Sequence, residues 1–155
     1  LLTEADLQKA KSPMTRKDFC KMVMRFLNVI TGKEWKAAGK TPFTDCDDAD
    51  VTAAYELGII GGTDPGIFEP NSTLTREQMV TMLYGYAGRE QALSGPDGAL
   101  AGYQDQARVS TWAREAMAWA VGTGVIAGTS ATTLAPRKTG TRAEVATVLM
   151  RFCEQ

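Results

Sequence analysis

The 155-residue chain contains no histidine. That absence removes the commonest general base near neutral pH, the commonest metal ligand, and every Ser-His or Cys-His nucleophile arrangement. Cysteine is scarce too: Cys20, Cys46 and Cys153 are odd in number and far apart. They form no C-x-x-C pair, which argues against a zinc site or a disulfide framework. One disulfide stays open as an alternative, buried free thiols are the default, and Cys46 is the thiol expected at the surface. No apolar run approaches the roughly 20 residues that span a bilayer. Neither sign of charge is in excess, with 17 Lys and Arg against 18 Asp and Glu. The basic surface that nonspecific binding to nucleic acid or anionic membrane requires is therefore missing, and neither partner is expected. No signal peptide is present and the chain opens on Leu1 rather than Met, which suggests a mature or trimmed fragment.

What is present is ordinary in bulk and unusual in order. The apolar fraction of 44% and charged fraction of 23% are those of a soluble globular protein, long enough for one domain or two small ones. Self-similarity organises it. Thr-Arg pairs at 15–16, 75–76 and 141–142 are separated by 60 and 66 residues; Phe43-x-Asp45 and Tyr103-x-Asp105 are again 60 apart. "LGIIGG" and "TGVIAG" align Gly58 with Gly124 and Gly62 with Gly128, 66 apart, as are Pro70 and Pro136. The six extra residues of the last unit fall between Asp105 and Gly124.

Each complete unit reads as aromatic-x-Asp, a short helix, Gly-hydrophobic-Ile, a turn-rich loop and a Thr-Arg helix. The short helices are expected at roughly 48–57 and 110–122, with Val51, Ala54, Tyr55 and Leu57, then Trp112, Ala116, Trp119 and Ala120, at helical spacing. Gly58 and Gly124 follow where a left-handed C-terminal residue is usual. The second helices carry Phe19, Met22, Val23 and Phe26; Met79, Val80, Leu83 and Tyr84; and Val145, Val148, Leu149 and Phe152. These stripes argue for a helical core, not a cofactor box. The first unit is incomplete, with Leu1-Leu2 as the remnant of its Gly-Ile-Ile and "TEADLQKAK" in place of its loop. Segments 31–42 and 87–102 read as linkers.

The helix starts pose a question of charge. Thr15, Thr75 and Thr141 precede Asp18, Gln78 and Glu144 by three residues, the capping-box spacing. Yet Arg16, Arg76 and Arg142 place a cation in the first turn, where the helix dipole favours an anion. Either each arginine pairs with an acid of a neighbouring unit, Asp45 or Asp105 being the candidates, or it forms an anion site with nearby backbone N–H groups.

Other candidates are weaker. "DCDDAD" has acids at positions 1 and 3 of an EF-hand-like loop, but Ala49 and Asp50 stand where a ligand and a turn glycine are needed, so helix capping explains it better. "GIIGGTDPGIF" lacks the Lys-Ser/Thr of a phosphate loop; its glycines suit a tight turn and close backbone approach. Trp35, Trp112 and Trp119 could stack on a sugar, with Trp119 expected in the core and Trp112 at the surface. No recurring carboxylate pair suggests glycoside hydrolysis.

"FTDCDDADVTAAYELGIIGGTDPGIFEPNSTLTREQMVTMLYGYA" closely resembles the S-layer homology domain. "YQDQARVSTWAREAMAWAVGTGVIAGTSATTLAPRKTGTRAEVATVLMRF" resembles a second copy, and "SPMTRKDFCKMVMRFLNVITG" the latter half of a preceding one. The resemblance implies an all-α fold of helix-loop-helix repeats packed about a pseudo-threefold axis. It divides the chain into a partial repeat at 1–32, a linker at 33–42, a repeat at 43–88, a linker at 89–102 and a repeat at 103–155, together one compact domain. It further implies noncovalent anchoring of a surface protein to the bacterial cell wall, through secondary cell-wall polysaccharide that often carries a pyruvate ketal. Enzymatic activity, a metal or a cofactor is not implied; an extracellular, wall- or S-layer-associated location and further domains in a larger protein are.

Carried over by position, the ligand residues are Arg16, Arg76 and Arg142, with Gly62 and Gly128, and with Trp112, Asp45 and Asp105 as further groove members. The third loop departs from the pattern, with Thr132 and Leu134 where the second has Gly66 and Phe68, and the first unit lacks the loop motif. Unequal grooves are expected, those of Arg76 and Arg142 being favoured. The competing function is a protein-interaction or scaffold module whose grooves are vestigial.

Overall fold

The computed structural model describes residues 3, 4, 8, 10–89 and 92–154. Among the described residues five α-helices carry the fold: α1 (Arg16–Thr31), α2 (Ala49–Glu56), α3 (Arg76–Ala87), α4 (Arg114–Gly122) and α5 (Arg142–Cys153). Among the described residues there is no strand, only isolated bridges such as Thr15 with Thr73 and Thr75 with Thr139. The fold is all-α. The expected helix at 110–122 is divided into a 3₁₀ turn at Thr111–Ala113 and α4, preceded by another at Gln106–Arg108. The remnant assigned to Leu1-Leu2 lies outside the described residues, as do Ala5, Asp6, Leu7 and Lys9 of "TEADLQKAK".

The stripes read from the sequence are the core. Phe19, Met22, Val23 and Phe26 of α1 are buried, as are Met79, Val80 and Leu83 of α3 and Val145, Val148 and Leu149 of α5. Burying a side chain of this size contributes about 1.5–3 kcal/mol, so these faces hold the helices together. Trp119 is buried, edge-on to Tyr84 and Phe152. Gly58 and Gly124, at φ 75° and 78°, end the short-helix segments.

The units close into a ring through their backbones. Met14 N–H donates to the Gly140 carbonyl (2.8 Å), Leu74 N–H to that of Met14 (3.0 Å), and Gly140 N–H to that of Leu74 (2.9 Å). Met14 and Leu74 are buried at this pseudo-threefold axis. Two residues further on, each helix start sits on the next unit: Arg16 N–H on Ser72, Arg76 N–H on Lys138 and Arg142 N–H on Ser12, at 2.8–3.1 Å. The next amides follow suit, Lys17 to Pro70, Glu77 to Pro136 and Ala143 to Ala10. Amides a helix start normally leaves unpaired are thereby used to join units.

The connecting segments are docked. Glu56 accepts the Ala38 and Gly39 N–H groups (2.8 and 2.9 Å). Gly95 lies so close to the Ala118–Trp119 backbone that a Cβ would come within 2.4 Å of it. The cysteines correct one expectation. Cys46 is buried with Cys20, and Cys153 is the exposed thiol. Cys46 follows Asp45, whose carboxylate turns outward to the loop, so the next side chain faces the core.

Candidate functional site: the seams between units

The three arginines leave their own helices and cross to the next unit. Arg16 donates from Nε to the Phe68 carbonyl (2.8 Å) and from Nη2 to that of Gly61 (2.6 Å). Arg76 repeats this one unit on, to Leu134 (3.2 Å) and Ala127 (2.6 Å). Both are buried, at 7% and 4% exposure. Phe68 and Leu134 are the fully buried plugs of equivalent loops, so the aromatic-to-aliphatic change leaves the guanidinium contacts intact. Arg16 also has a ring beneath it, 4.8 Å from the Phe68 centroid. The cation in the first turn is thus placed for the neighbour's carbonyls.

The acids it meets were not those expected. Arg76 Nη1 pairs with Glu144 (2.9 Å), and Arg142 Nη2 pairs with Asp18. Both acids occupy the third helical position of the next unit in the ring. Thr15 and Thr141 accept the Asp18 and Glu144 N–H groups (3.1 and 3.2 Å). The complete reciprocal box is recorded for Thr75 and Gln78, where Gln78 Oε1 also accepts the Thr75 N–H (2.9 Å). The capping-box spacing therefore serves two ends. A neutral residue there closes its own box, while an acid leaves it to neutralise the arginine across the seam.

Arg16 faces the unit whose third helical position is the neutral Gln78. Among the described residues it has no ion pair with an acid, and its hydrogen bonds come from Nε and Nη2. Burial lowers its pKa from the ordinary arginine value, with nearby Cys20 and Glu69 opposing this only in part. A desolvated cation with no acid in direct ion-pair contact among the described residues is the electrostatic condition that favours an incoming anion.

The other predicted residues have definite places. Asp45 accepts the N–H groups of Phe68 and Glu69 (both 2.9 Å), and Asp105 those of Leu134 and Ala135 (2.9 and 2.8 Å). These backbone bonds, Phe68 and Leu134 foremost, hold both carboxyl groups below their ordinary pKa. They also fix Glu69 and Ala135 at φ 56° and 52°, where residues other than glycine are uncommon. At Gly62 a Cβ would meet the Ile67 carbonyl at 2.6 Å and Phe43 at 3.0 Å; at Gly128, the Thr133 carbonyl at 2.4 Å and Tyr103 at 2.7 Å. Both glycines are needed by their own loops. Trp112 is 59% exposed, on the 3₁₀ turn before α4. Asp48 caps α2, accepting from Asp50 and Val51 (2.9 and 3.2 Å).

Sequence reasoning missed Glu77. It is buried and accepts the Ser110 N–H (2.8 Å) and hydroxyl (2.6 Å), tying α3 to the turn before α4. Its equivalents are Lys17 and Ala143, so repeat comparison offered no signal.

A ring of helix-loop-helix units, joined by arginines that cross each seam, defines a repeat-built binding module. The S-layer homology domain profile matches residues 47–80 and 102–146, just over half of the chain, and the chain belongs to that family. Curated relatives are similar along nearly its whole length. They include the exoglucanase XynX of Acetivibrio thermocellus (28% identical, covering 99% of this chain and 14% of that protein) and an amylopullulanase of Thermoanaerobacterium thermosulfurigenes (31%, 99% and 8%). An endoglucanase of Bacillus sp. strain KSM-635 is 32% identical over 95% of this chain and 15% of its own length. The chain spans no more than 15% of the length of any of these relatives. Domains of this family are non-catalytic anchoring modules that bind cell-wall polymers within larger surface proteins, and membership associates the chain with the cell surface or S-layer.

Proposed function

We propose that the chain anchors a larger surface protein to the bacterial wall by binding an anionic secondary wall polysaccharide, such as one bearing a pyruvate ketal, at the seam of Arg16. The observation that carries this reading is the Arg16 guanidinium, buried and pinned by two carbonyls of a unit whose third helical position is Gln78, where the units facing Arg76 and Arg142 have an acid that pairs with the arginine. The Arg76 seam, favoured from sequence, supplies its own anion in Glu144. Asp45, Gly62 and the Phe68 loop shape the Arg16 seam; Asp105, Gly128 and Trp112 belong to the unit facing Arg76.

Arg16→Ala would also release two structural carbonyls, so Gln78→Glu is the sharper variant. It installs the acid that neutralises Arg76 and Arg142, while every contact of Arg16 to the loop remains. The expected result is co-sedimentation of the wild type with wall sacculi, its loss when the wall polymer is stripped, and weakening of about tenfold or more in Gln78→Glu with an unchanged melting temperature. Undiminished binding by that variant excludes Arg16 as the anion site. A scaffold role is the second reading, favoured by the complete structural use of Arg76; it predicts no sedimentation with unstripped sacculi.

A further inference from the structure

At the other end of α1, roughly 20 Å away given its length, the C-terminal ends of α1, α2 and α3 frame a groove of about 740 Å³. Its described lining includes Thr31, Lys33, Trp35, Leu57, Tyr86 and Arg89, and no acid. Trp35 is half-buried and held at both nitrogens. Its backbone N–H donates to Asn28 Oδ1 (2.8 Å) and its indole N–H to Thr31 Oγ1 (3.3 Å). Lys33 Nζ lies 5.5 Å from the Trp35 ring and the Arg89 guanidinium 6.0 Å from that of Tyr86. Arg89 also donates to the Leu57 carbonyl.

A cation at a helix C-terminus is explained by the dipole, and Arg89 on Leu57 answers that need. The dipole does not explain an indole fixed in one orientation on the wall of an open groove. Lys33 Nζ stands over the fixed indole and the Arg89 guanidinium over Tyr86, and an immobilised aromatic carrying such a cation suits a ring that is apolar on one face and bears a carboxylate at its edge. We propose that this groove is a second glycan site, selective for an acidic sugar residue. The inference rests on the glycan-binding reading but not on Arg16. Two sites one helix length apart would let a single polymer chain engage both, raising avidity without a new contact.

The test is a ¹⁵N-resolved NMR titration of the intact chain with trigalacturonic acid and, separately, with maltotriose. The indole of Trp35 and the backbone of Lys33 and Arg89 are expected to shift saturably at millimolar trigalacturonate and to stay in place with maltotriose. Trp35→Ala and Arg89→Gln should each weaken binding about tenfold as read at the Lys33 amide, Trp35→Phe should retain most of it, and Gln78→Glu should leave the Trp35 and Lys33 shifts as they are in the wild type. Absence of a Trp35 shift, equal response to the neutral sugar, or full binding by Trp35→Ala overturns the proposal. Sacculus binding that is lost in Gln78→Glu without any Trp35 titration refutes this site alone. Trp35 titration with undiminished sacculus binding by Gln78→Glu refutes the Arg16 assignment alone.

Discussion

Arg76 shows why a cation is tolerated at the start of a helix. The unfavourable dipole term is a few tenths of a kcal/mol to about 1 kcal/mol. Against it stand charge-assisted bonds to the Leu134 and Ala127 carbonyls and to Glu144, each worth about 1.5–3 kcal/mol. The local rule is broken because the tertiary contact is larger. Removing the side chain leaves those carbonyls without their donor and the Glu144 carboxylate with only the longer contact to Lys138 (3.8 Å). Arg76→Ala should therefore lower stability by about 3–5 kcal/mol, measured by urea unfolding. Glu144→Gln, whose carboxylate is partly exposed, should cost no more than about 1 kcal/mol. An Arg76→Ala protein as stable as wild type would show that the guanidinium does not hold the seam. The same competition was invisible from sequence for Asp18 and Glu144, since capping and ion pairing ask for the same residue type at the same position.

At the scale of the element, loops are stabilised by carboxylates in addition to their own hydrogen bonds, such as Thr63 N–H to the Ile67 carbonyl (2.9 Å) and Thr129 N–H to that of Thr133 (2.8 Å). Asp45 and Asp105 each grip two successive amides across their unit, so the F-x-D motif is a loop clamp 23 to 30 residues from what it holds. The clamp works in the charged form, which is why both pKa values lie below the ordinary carboxylate range. With the folded pKa below the unfolded value near 3.9, the stabilisation is fully present above that value and disappears as pH falls through the folded pKa. The double variant Asp45→Asn, Asp105→Asn is expected to be less stable than wild type at pH 7. The gap should narrow towards pH 3, read from urea midpoints across that range. A constant gap would mean that charge plays no part in the clamp.

For the whole molecule the decisive feature is the ring of backbone bonds through Met14, Leu74 and Gly140. No unit completes its helix start alone, because the first two amides of each second helix bond to carbonyls of another. Unfolding any one unit exposes orphan groups in its neighbours, so the three should melt as a single cooperative body. Native-state hydrogen exchange checks this. The amides of Met14, Leu74 and Gly140 are expected to exchange only with global unfolding and with one common free energy. Separate exchange energies for the three would show that the units open independently.

Much of this architecture was legible in the chain. Helical stripes, Thr caps, the terminal glycines and the 60- and 66-residue offsets depend on local chemistry and spacing, and local terms repeat wherever the motif repeats. The burial of Trp119 and the exposure of Trp112 followed from position along one stripe. What tertiary structure alone decided is pairing around a closed ring. Closure sends Arg16 to Gln78's unit, Arg76 to Glu144 and Arg142 to Asp18, and turns Cys46 inward. These partners stand 62 to 124 residues apart in sequence, and nothing local selects among two acids and an amide at the same repeat position. Only the direction in which the units follow one another about the axis does, and that direction leaves Arg16 opposite an amide.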